Sequence, residues 1–280
     1  MSRQATQAGF SLVEMIMVVV ITGILGAIVA VFIQRPVTSY VASSNRAALS
    51  DVADLSLRRI QRDVRRALPN SVRTTVSGAA SAYLELVPTL AAGRYENSTA
   101  ANCFTTTKCS SLVVLGTLIA NAHEHAGKKL VVFNASNNFP GGCAANSVYC
   151  GNDLVTIADS VAASGSPPKG SFTFSPAVQI NATGATAAHR FQIVEGPVSY
   201  ECNPTTKQLL KHWGYGFQAS QPTGFSSGST ALLADNIDCS FTYQVGSLQH
   251  SILGMSVTLR TSDGSESVSL YHEVAVNNVP

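Results

Sequence analysis

Charged residues are scarce in this sequence. They make up 12% of its 280 residues, whereas apolar residues make up 45%, and 18 basic and 16 acidic residues leave a net charge of only +2. Intrinsically disordered chains are typically rich in charge and poor in apolar residues, so this composition favours a folded protein. Nucleic-acid binding requires a concentrated basic face, and this balance of charge gives no sign of one. We therefore expect no nucleic-acid partner.

Charge is absent altogether from residues 15–33, within a predominantly apolar segment over residues 10–33. Such a run of about 24 residues is long enough to cross a bilayer core as a helix. A secretory signal peptide is the alternative, but its apolar run would be shorter and a small-residue cleavage site would follow it. Here the small residue, Gly9, precedes the run. The pattern predicts a leader at residues 1–9 and a lipid-embedded helix at residues 10–33.

One acidic residue, Glu14, lies inside this apolar segment. A carboxylate in a membrane helix costs about 2.5–3.5 kcal/mol on insertion scales, so it usually has a partner. Cleavage between Gly9 and Phe10 would create an α-amino group four residues away, on the same helix or in a staggered neighbouring subunit. Pairing with that amine would offset the cost of burial, and between chains it would also set the register of assembly. A plain membrane anchor leaves Glu14 unexplained.

The start of the apolar segment resembles the cleavage motif of type IV prepilins and type II secretion pseudopilins, in the residues Gly9-Phe10-Ser11-Leu12-Val13-Glu14. The resemblance implies that a prepilin peptidase cuts after Gly9 and methylates Phe10, and that Glu14 guides assembly. It implies partners among other pilin or pseudopilin subunits and an inner-membrane assembly platform, with the C-terminal body in the periplasm. The implied fold class is α+β, with a long N-terminal helix packed on an antiparallel β-sheet body. We predict a structural subunit with no catalytic residues, metal or cofactor.

Three further stretches of sequence indicate a particular subgroup within this family. Residues 68–73, 198–202 and 271–280 resemble the minor prepilins of mannose-sensitive haemagglutinin pili. The J-type pseudopilins of type II secretion have a similar plan and are the alternative, and a membrane-anchored adhesive module is a third. Residues 89–185 match neither plan. A minor subunit with a large body suits initiation or capping of a fibre, because a bulky head restricts stacking above it.

Proline is absent from the apolar segment, where major pilins often carry one, and the nearest is Pro36. Gly23 and Gly26 are expected to supply flexibility instead, because glycine weakens a helix interior by about 1 kcal/mol. Gly23 and Ala27 also form a small-xxx-small face suited to close helix packing. The alternative is that glycine is simply frequent in membrane helices, and both interpretations stay open.

Cysteine is absent before residue 103. The six cysteines all follow the apolar segment, at Cys103, Cys109, Cys143, Cys150, Cys202 and Cys239. An even number in an exported domain indicates disulfides, as an oxidising periplasm allows, and six cysteines permit about 15 pairings. The preferred pairs are 103–109, 143–150 and 202–239, and the alternative is free, buried cysteines.

A helical pattern continues over residues 38–68 and predicts an amphipathic stem at residues 34–68 that ends at Pro69. Its apolar face is expected to consist of Leu49, Val52, Ile60, Val64 and Leu68. Arginines crowd the last turns, either as a solvated face that complements the helix dipole or as a docking surface for an acidic partner. Residues 35–68 hold seven basic and three acidic residues, whereas residues 69–280 hold ten and twelve.

Residues 69–280 are expected to form a β-rich periplasmic domain. Short runs separated by turns predict strands at 82–87, 112–115, 129–133, 154–157, 171–174, 190–194, 198–202 and 208–213. The clearest element is a C-terminal hairpin, in which apolar and polar residues alternate on both sides of Asp263-Gly264. Residues 89–109, 162–170 and 220–229 are expected to be irregular.

Some sequence patterns resemble catalytic or ligand-binding motifs but lack the surrounding structure that those motifs require. Residues 224–228 fit the nucleophile pattern G-x-S-x-G around Ser226, which requires a strand before it and a helix after it. His123 and His125 lie two residues apart, but the cysteine spacings are wider than structural zinc sites use. Aromatic residues alternate over residues 213–217 and are assigned to packing rather than to an adhesive patch.

Overall fold

The computed structural model describes residues 9–77, 81–96, 103, 108–136, 147–151, 154–180, 189–245 and 250–279. This part of the chain consists of one long helix followed by strands in three antiparallel sheets, which confirms the expected α+β class. The helix is α1 (Leu12–Arg65). The strands are β1 (Arg73–Ser77), β2 (Ser81–Leu86), β3 (Thr89–Tyr95), β4 (Cys109–Leu115), β5 (Lys129–Val131), β6 (Leu154–Thr156), β7 (Asp159–Ser164), β8 (Lys169–Val178), β9 (Arg190–Val194), β10 (Val198–Asn203), β11 (Gln208–Trp213), β12 (Ser229–Asp235), β13 (Ile237–Val245), β14 (His250–Arg260) and β15 (Ser267–Asn277). A short 3-10 helix spans Val148–Cys150.

Helix α1 joins the predicted membrane segment and the stem into one continuous element. Ser11 caps its start, where the side-chain oxygen accepts a hydrogen bond from the backbone N–H of Glu14 at 3.4 Å. Pro36 lies inside the helix. The helix ends at Arg65, short of the expected boundary at Leu68. The reason is that the Leu68 N–H donates to the carbonyl of Val87 at 2.7 Å, which draws the chain into strand-like pairing.

The stem packs on the sheets through a narrow face. Its buried apolar residues recur at steps of three and four and are at most 2% exposed, namely Ala53, Leu57, Ile60 and Val64. The prediction that Val52 belongs to this face was wrong, because Val52 is 41% exposed and Ala53 takes the buried position beside it. A methyl side chain at that position allows the helix to approach the sheet more closely than a branched one would.

Two sheets and the stem enclose the main core. The five-stranded sheet has the order β1-β2-β10-β11-β12, and the three-stranded sheet has the order β13-β14-β15. Helix α1 packs on β12, β14 and β15. Between these layers lie large buried side chains that include Leu84, Tyr200, Leu209, Met255 and Val274. The stem is therefore one wall of the core and not an appendage of it.

A buried ion pair stiffens the five-stranded sheet. Arg73 and Glu85 are register partners on β1 and β2, and Nε of the arginine lies 2.6 Å from the carboxylate. Arg73 also donates to the carbonyls of Gln218 and Ala219, and the Tyr215 hydroxyl donates to Glu85 at 2.7 Å. Burial raises the pKa of Glu85, although the guanidinium beside it opposes this. Since a buried charge without its partner is strongly destabilising, the pair fixes the irregular chain after β11 against the sheet.

Residues 89–194, here called the inserted module, form a second body between two neighbouring strands. Strands β2 and β10 are adjacent, and Leu86 pairs with Val198 across them. The intervening chain builds the seven-stranded sheet of order β6-β5-β9-β3-β4-β8-β7. Its own core includes Leu112, Phe172 and Phe191, and a smaller cluster that includes Leu68, Val87, Val131 and Tyr149 joins it to the main body.

Several strand predictions are confirmed, including the bounds of β9 and β11 and the C-terminal hairpin of β14 and β15. The prediction that residues 89–109 are irregular was wrong for residues 89–95, which form β3, and most of residues 97–107 lie outside the described residues. The expected loop at residues 162–170 is shorter, because residues 162–164 end β7 and residues 169–170 begin β8, which leaves residues 165–168 as the turn. Strands β3 and β7 are rich in alanine or serine, which favour strands weakly, so pairing with neighbouring strands decides their structure.

Replacing residues 87–197 by Asn-Gly, so that Leu86 and Val198 flank a two-residue hairpin turn, is expected to leave a folded body. These two residues are already register partners. The melting temperature should fall, because the Tyr149 ring that lies 3.6 Å from the Arg73 guanidinium is lost. Circular dichroism should still show cooperative unfolding, and intact mass should show the disulfide between Cys202 and Cys239.

The matched control places the same dipeptide between Asn203 and Gln208, at the other end of β10, in place of residues 204–207. This control should unfold cooperatively, with a small loss of stability because it removes the exposed pair of Lys207 with Asp238 and the Ile237 N–H bond to the Lys207 carbonyl. If the shortened chain unfolds without cooperativity while the control does not, the body depends on the inserted module for its fold.

Candidate functional site

The first half of α1 carries an uncovered apolar surface. Its most apolar window has a mean hydropathy of 3.0, and none of that window is buried. All of its large apolar side chains between Phe10 and Ile33 are more than half exposed. In the part of the chain that the structure describes, α1 is the one helix long and apolar enough to cross a membrane. Such a surface requires lipid or other apolar helices around it.

The predicted processing site lies at the edge of this helix. Gly9 and Phe10 precede α1 without regular structure, and Phe10 is 80% exposed. Residues 1–8 of the predicted leader lie outside the described residues. An exposed peptide bond in irregular chain is accessible to a protease, so the geometry suits cleavage after Gly9.

Glu14 lies in the first turn of α1, and its carboxylate forms no ion pair with any residue that the structure describes. A carboxylate at a helix N-terminus gains about 0.3–1 kcal/mol from the helix dipole. That gain is smaller than the cost of about 2.5–3.5 kcal/mol for a charge inside a membrane helix. Inside a membrane, the helix dipole alone therefore does not compensate the charge of Glu14.

Gly23 and Ala27 both lie on the exposed surface of α1. A Cβ atom built at Gly23 meets no atom within 4 Å, and the same holds at Gly26. The small-residue face is therefore open in the isolated chain. Its role in helix packing stays a prediction.

Polar contacts fasten the stem to the body. Asp63 on α1 accepts hydrogen bonds from the Tyr200 hydroxyl at 2.5 Å and from Lys211 Nζ at 2.7 Å. Burial opposes ionisation of Asp63, but these two donors outweigh it and lower the pKa of the carboxyl. Nearer the membrane half, Arg46 pairs with Glu266 in the turn after β14 at 2.6 Å. These contacts fix how the stem is rotated against the sheets.

Disulfides join elements of the body. The Cys202–Cys239 bridge links β10 of the five-stranded sheet to β13 of the three-stranded sheet, with Cα atoms 5.7 Å apart. The Cys103–Cys109 bridge closes a short loop ahead of β4, with Cα atoms 5.0 Å apart. Both pairs belong to the preferred set. Cys150 is disulfide-bonded, and Cys143 lies outside the described residues.

The other candidate chemistries lack their context. The loop around Ser226 precedes strand β12 rather than a helix, and Phe225 stacks on His212 with ring centroids 3.9 Å apart. His123 pairs with Asp159, whereas His125 packs edge-on against Phe172. Across residues 9–279, apart from the undescribed gaps, no group of three or more potential ligands surrounds a metal position.

Asp63→Asn is expected to lower the free energy of unfolding of the full chain by about 1.5–3 kcal/mol, because it weakens two hydrogen bonds to a charged group. The folded pKa of Asp63 is depressed, so its contribution is present above the unfolded pKa and is lost as pH falls through the folded value. The variant should therefore show a smaller loss of stability below about pH 4 in thermal melts of detergent-solubilised protein.

The matched control is Asp54→Asn, which breaks an exposed pair with Arg58 on the same helix. That pair is worth about 0.3–0.5 kcal/mol. Equal losses in the two variants would contradict a specific role for Asp63 in stem docking.

The comparisons with known proteins agree with this site. The family model described as the prokaryotic N-terminal methylation motif matches residues 4–30. No curated protein and no solved structure matched the chain. The motif implies processing by a prepilin peptidase and assembly with other pilin subunits. Together with the long apolar helix and the antiparallel body, it supports a membrane-anchored structural subunit that is similar to type IV pilins and pseudopilins.

Proposed function

We propose that this chain is a minor subunit of a mannose-sensitive haemagglutinin-type pilus, cut between Gly9 and Phe10 and methylated at its new N-terminus. The supporting observation is that the first half of α1 is a bare apolar helix, and the carboxylate at its start has no ion-pair partner among the described residues. In the inner membrane lipid covers this surface, and in the fibre the same halves of neighbouring subunits cover it. The disulfide-bonded body lies in the oxidising periplasm before assembly.

Charge pairing guides entry into the fibre. Cleavage leaves an α-amino group at Phe10, and Glu14 lies four residues further, about 6 Å along the helix axis. In an apolar bundle an ammonium group and a carboxylate attract far more strongly than in water. The Glu14 of one chain pairs with the new N-terminus of the next, which neutralises both and fixes the stagger between subunits.

The inserted module supports a minor, fibre-end position. A shaft subunit repeats along the fibre and must leave room for identical copies around it. Residues 89–194 add a complete seven-stranded body beside the pilin core. Such a bulky head restricts stacking above it, so the subunit initiates or caps the fibre.

The J-type pseudopilin of type II secretion is the second candidate. The methylation motif, the bare helix and a large body suit a pseudopilus tip equally well. The two candidates differ in the machine that uses the subunit. A membrane-anchored adhesive module would instead function without Glu14.

Gly9→Ala is expected to block processing. The intact mass of the wild-type protein from membranes should match a chain that starts at Phe10 with one added methyl group, whereas the variant should retain Met1. Gly26→Ala is the matched control, because a Cβ at either glycine meets no atom within 4 Å. A fully functional wild-type protein that still starts at Met1 would refute the proposal.

Glu14→Leu is expected to leave processing intact but to remove the subunit from assembled fibres, as immunogold labelling would show. Thr22→Val is the control, since the Thr22 hydroxyl donates to the Val18 carbonyl at 2.6 Å and is satisfied within its own helix. If cells with Glu14→Leu lose their pili but secrete normally, the pilus assignment is supported. If they keep their pili but lose secretion, the pseudopilus assignment is supported. Fibres that incorporate Glu14→Leu normally would contradict the charge-pairing step.

A further inference from the structure

A cleft of about 620 Å³ lies where the end of the stem, the five-stranded sheet and the inserted module meet. Arg59 and Arg66 line it from the stem end, Leu90 and Lys129 from the inserted module, and Trp213 and Phe217 from β11 and the chain after it. Its volume falls within the range of small-molecule and cofactor sites, which often lie between domains.

Three cations of the cleft have no acidic partner among the residues that the structure describes. Arg59 and Arg66 are exposed at the end of the stem and form no ion pair there. The ammonium group of Lys129 donates to the hydroxyl of Thr156 at 2.7 Å, which leaves its charge uncompensated. These side chains are suited to an anionic ligand, since arginine can bind a carboxylate through two parallel hydrogen bonds.

The acidic residues of the cleft are already engaged. Asp63 accepts from Tyr200 and Lys211, and Glu195 pairs with Lys128 at 2.5 Å. They therefore do not neutralise the three free cations. Among the described residues, the cleft therefore has an excess of positive charge, which suits an anionic ligand.

Apolar surface lies beside these cations. Trp213 is 39% exposed and Leu90 is 43% exposed, while Phe217 is partly buried. A simple inorganic anion would leave this surface uncovered. A ligand that carries both a carboxylate and apolar groups makes use of both features.

The membrane surface is too distant to supply the ligand. Arg59 lies about 40 Å along α1 from Ile33, the end of the apolar segment. Lipid headgroups therefore do not reach the cleft while the helix spans the bilayer. Protein bodies do lie at that height, and the body of this chain itself carries twelve acidic and ten basic residues after the stem.

We propose that the cleft binds an acidic peptide segment of another fibre subunit, with a Glu or Asp carboxylate at the cations and apolar atoms against Trp213. The identity of the partner as a fibre subunit rests on the proposed function. The binding chemistry itself rests on the cleft. The docked segment would connect the stem end and the inserted module through one ligand.

The test uses the only tryptophan of the chain, Trp213, as a reporter inside the cleft. The full chain in nonionic detergent is titrated with a hexapeptide of alternating glutamate and alanine, while tryptophan fluorescence is recorded. A saturable change is expected, and a peptide with glutamine in place of glutamate should bind at least about tenfold more weakly. Added salt should weaken binding of the acidic peptide.

Arg59→Gln and Lys129→Gln should each weaken binding about tenfold. Arg65→Gln is the matched control, because Arg65 is an exposed arginine at the same helix end that does not line the cleft. Processing at Phe10 should be unchanged in all three variants, which separates failure of this proposal from failure of the proposed function.

Absence of a fluorescence change would overturn the proposal. Equal binding of the glutamine peptide, or equal weakening by Arg65→Gln, would also overturn it, because the cleft cations would then have no specific role. If an oligogalacturonate binds and the acidic peptide does not, the proposal of a peptide ligand is overturned, and the cleft binds a carboxylated sugar instead.

Discussion

The contact of the stem with the β-sheets is the constraint on which the rest of the molecule depends. Burial of Leu57, Ile60 and Val64 contributes about 1.5–3 kcal/mol for each side chain, and Asp63 fixes the rotation of the helix about its axis. Because α1 is continuous, this contact also sets the direction of the half that has no contact with the body. The apolar half is held away from the sheets and must be covered by lipid or by other subunits.

Two carboxylates on this one helix differ in whether the fold supplies them with partners. Asp63 is satisfied within the chain by Tyr200 and Lys211, and its role is to hold the fold together. Glu14 is left without an ion-pair partner in the described structure, although its cost in a membrane is the greater of the two. Polar groups that a fold leaves unsatisfied at high cost are expected at functional positions. The contrast separates the part of the helix that stabilises the body from the part to which we assign a role in assembly.

Local patterns in the sequence predicted the elements that local physics decides. The apolar run, the C-terminal hairpin and strands β9 and β11 all follow from periodicity or turn residues, whereas the processing motif was identified through its resemblance to prepilin cleavage motifs. The stem face was predicted less well, because steps of three and four residues are compatible with both Val52 and Ala53. Only the distance between helix and sheet decides that the smaller residue is buried.

The inserted module was missed for a different reason. Leu86 and Val198 pair directly although more than a hundred residues separate them, and no local signal marks two distant strands as neighbours. The pair of Arg73 and Glu85 was missed likewise, since its burial depends on a chain segment beyond β11. Strands β3 and β7 are rich in alanine and serine and show no clear alternation of apolar and polar residues, so they gave no local sign of a second sheet.

The position of the insertion gives the stem arginines a second role. The helix dipole explains cations only in the last turn of α1, where Arg62 and Arg65 lie. Arg59 lies nearly two turns from the helix end, so the dipole does not account for it. Because residues 89–194 leave and rejoin the sheet beside the stem end, they enclose Arg59 and Arg66 in a cleft with Lys129. These arginines therefore lie in a cleft and not on an open basic surface, and the cleft places charged and apolar side chains next to the same proposed ligand.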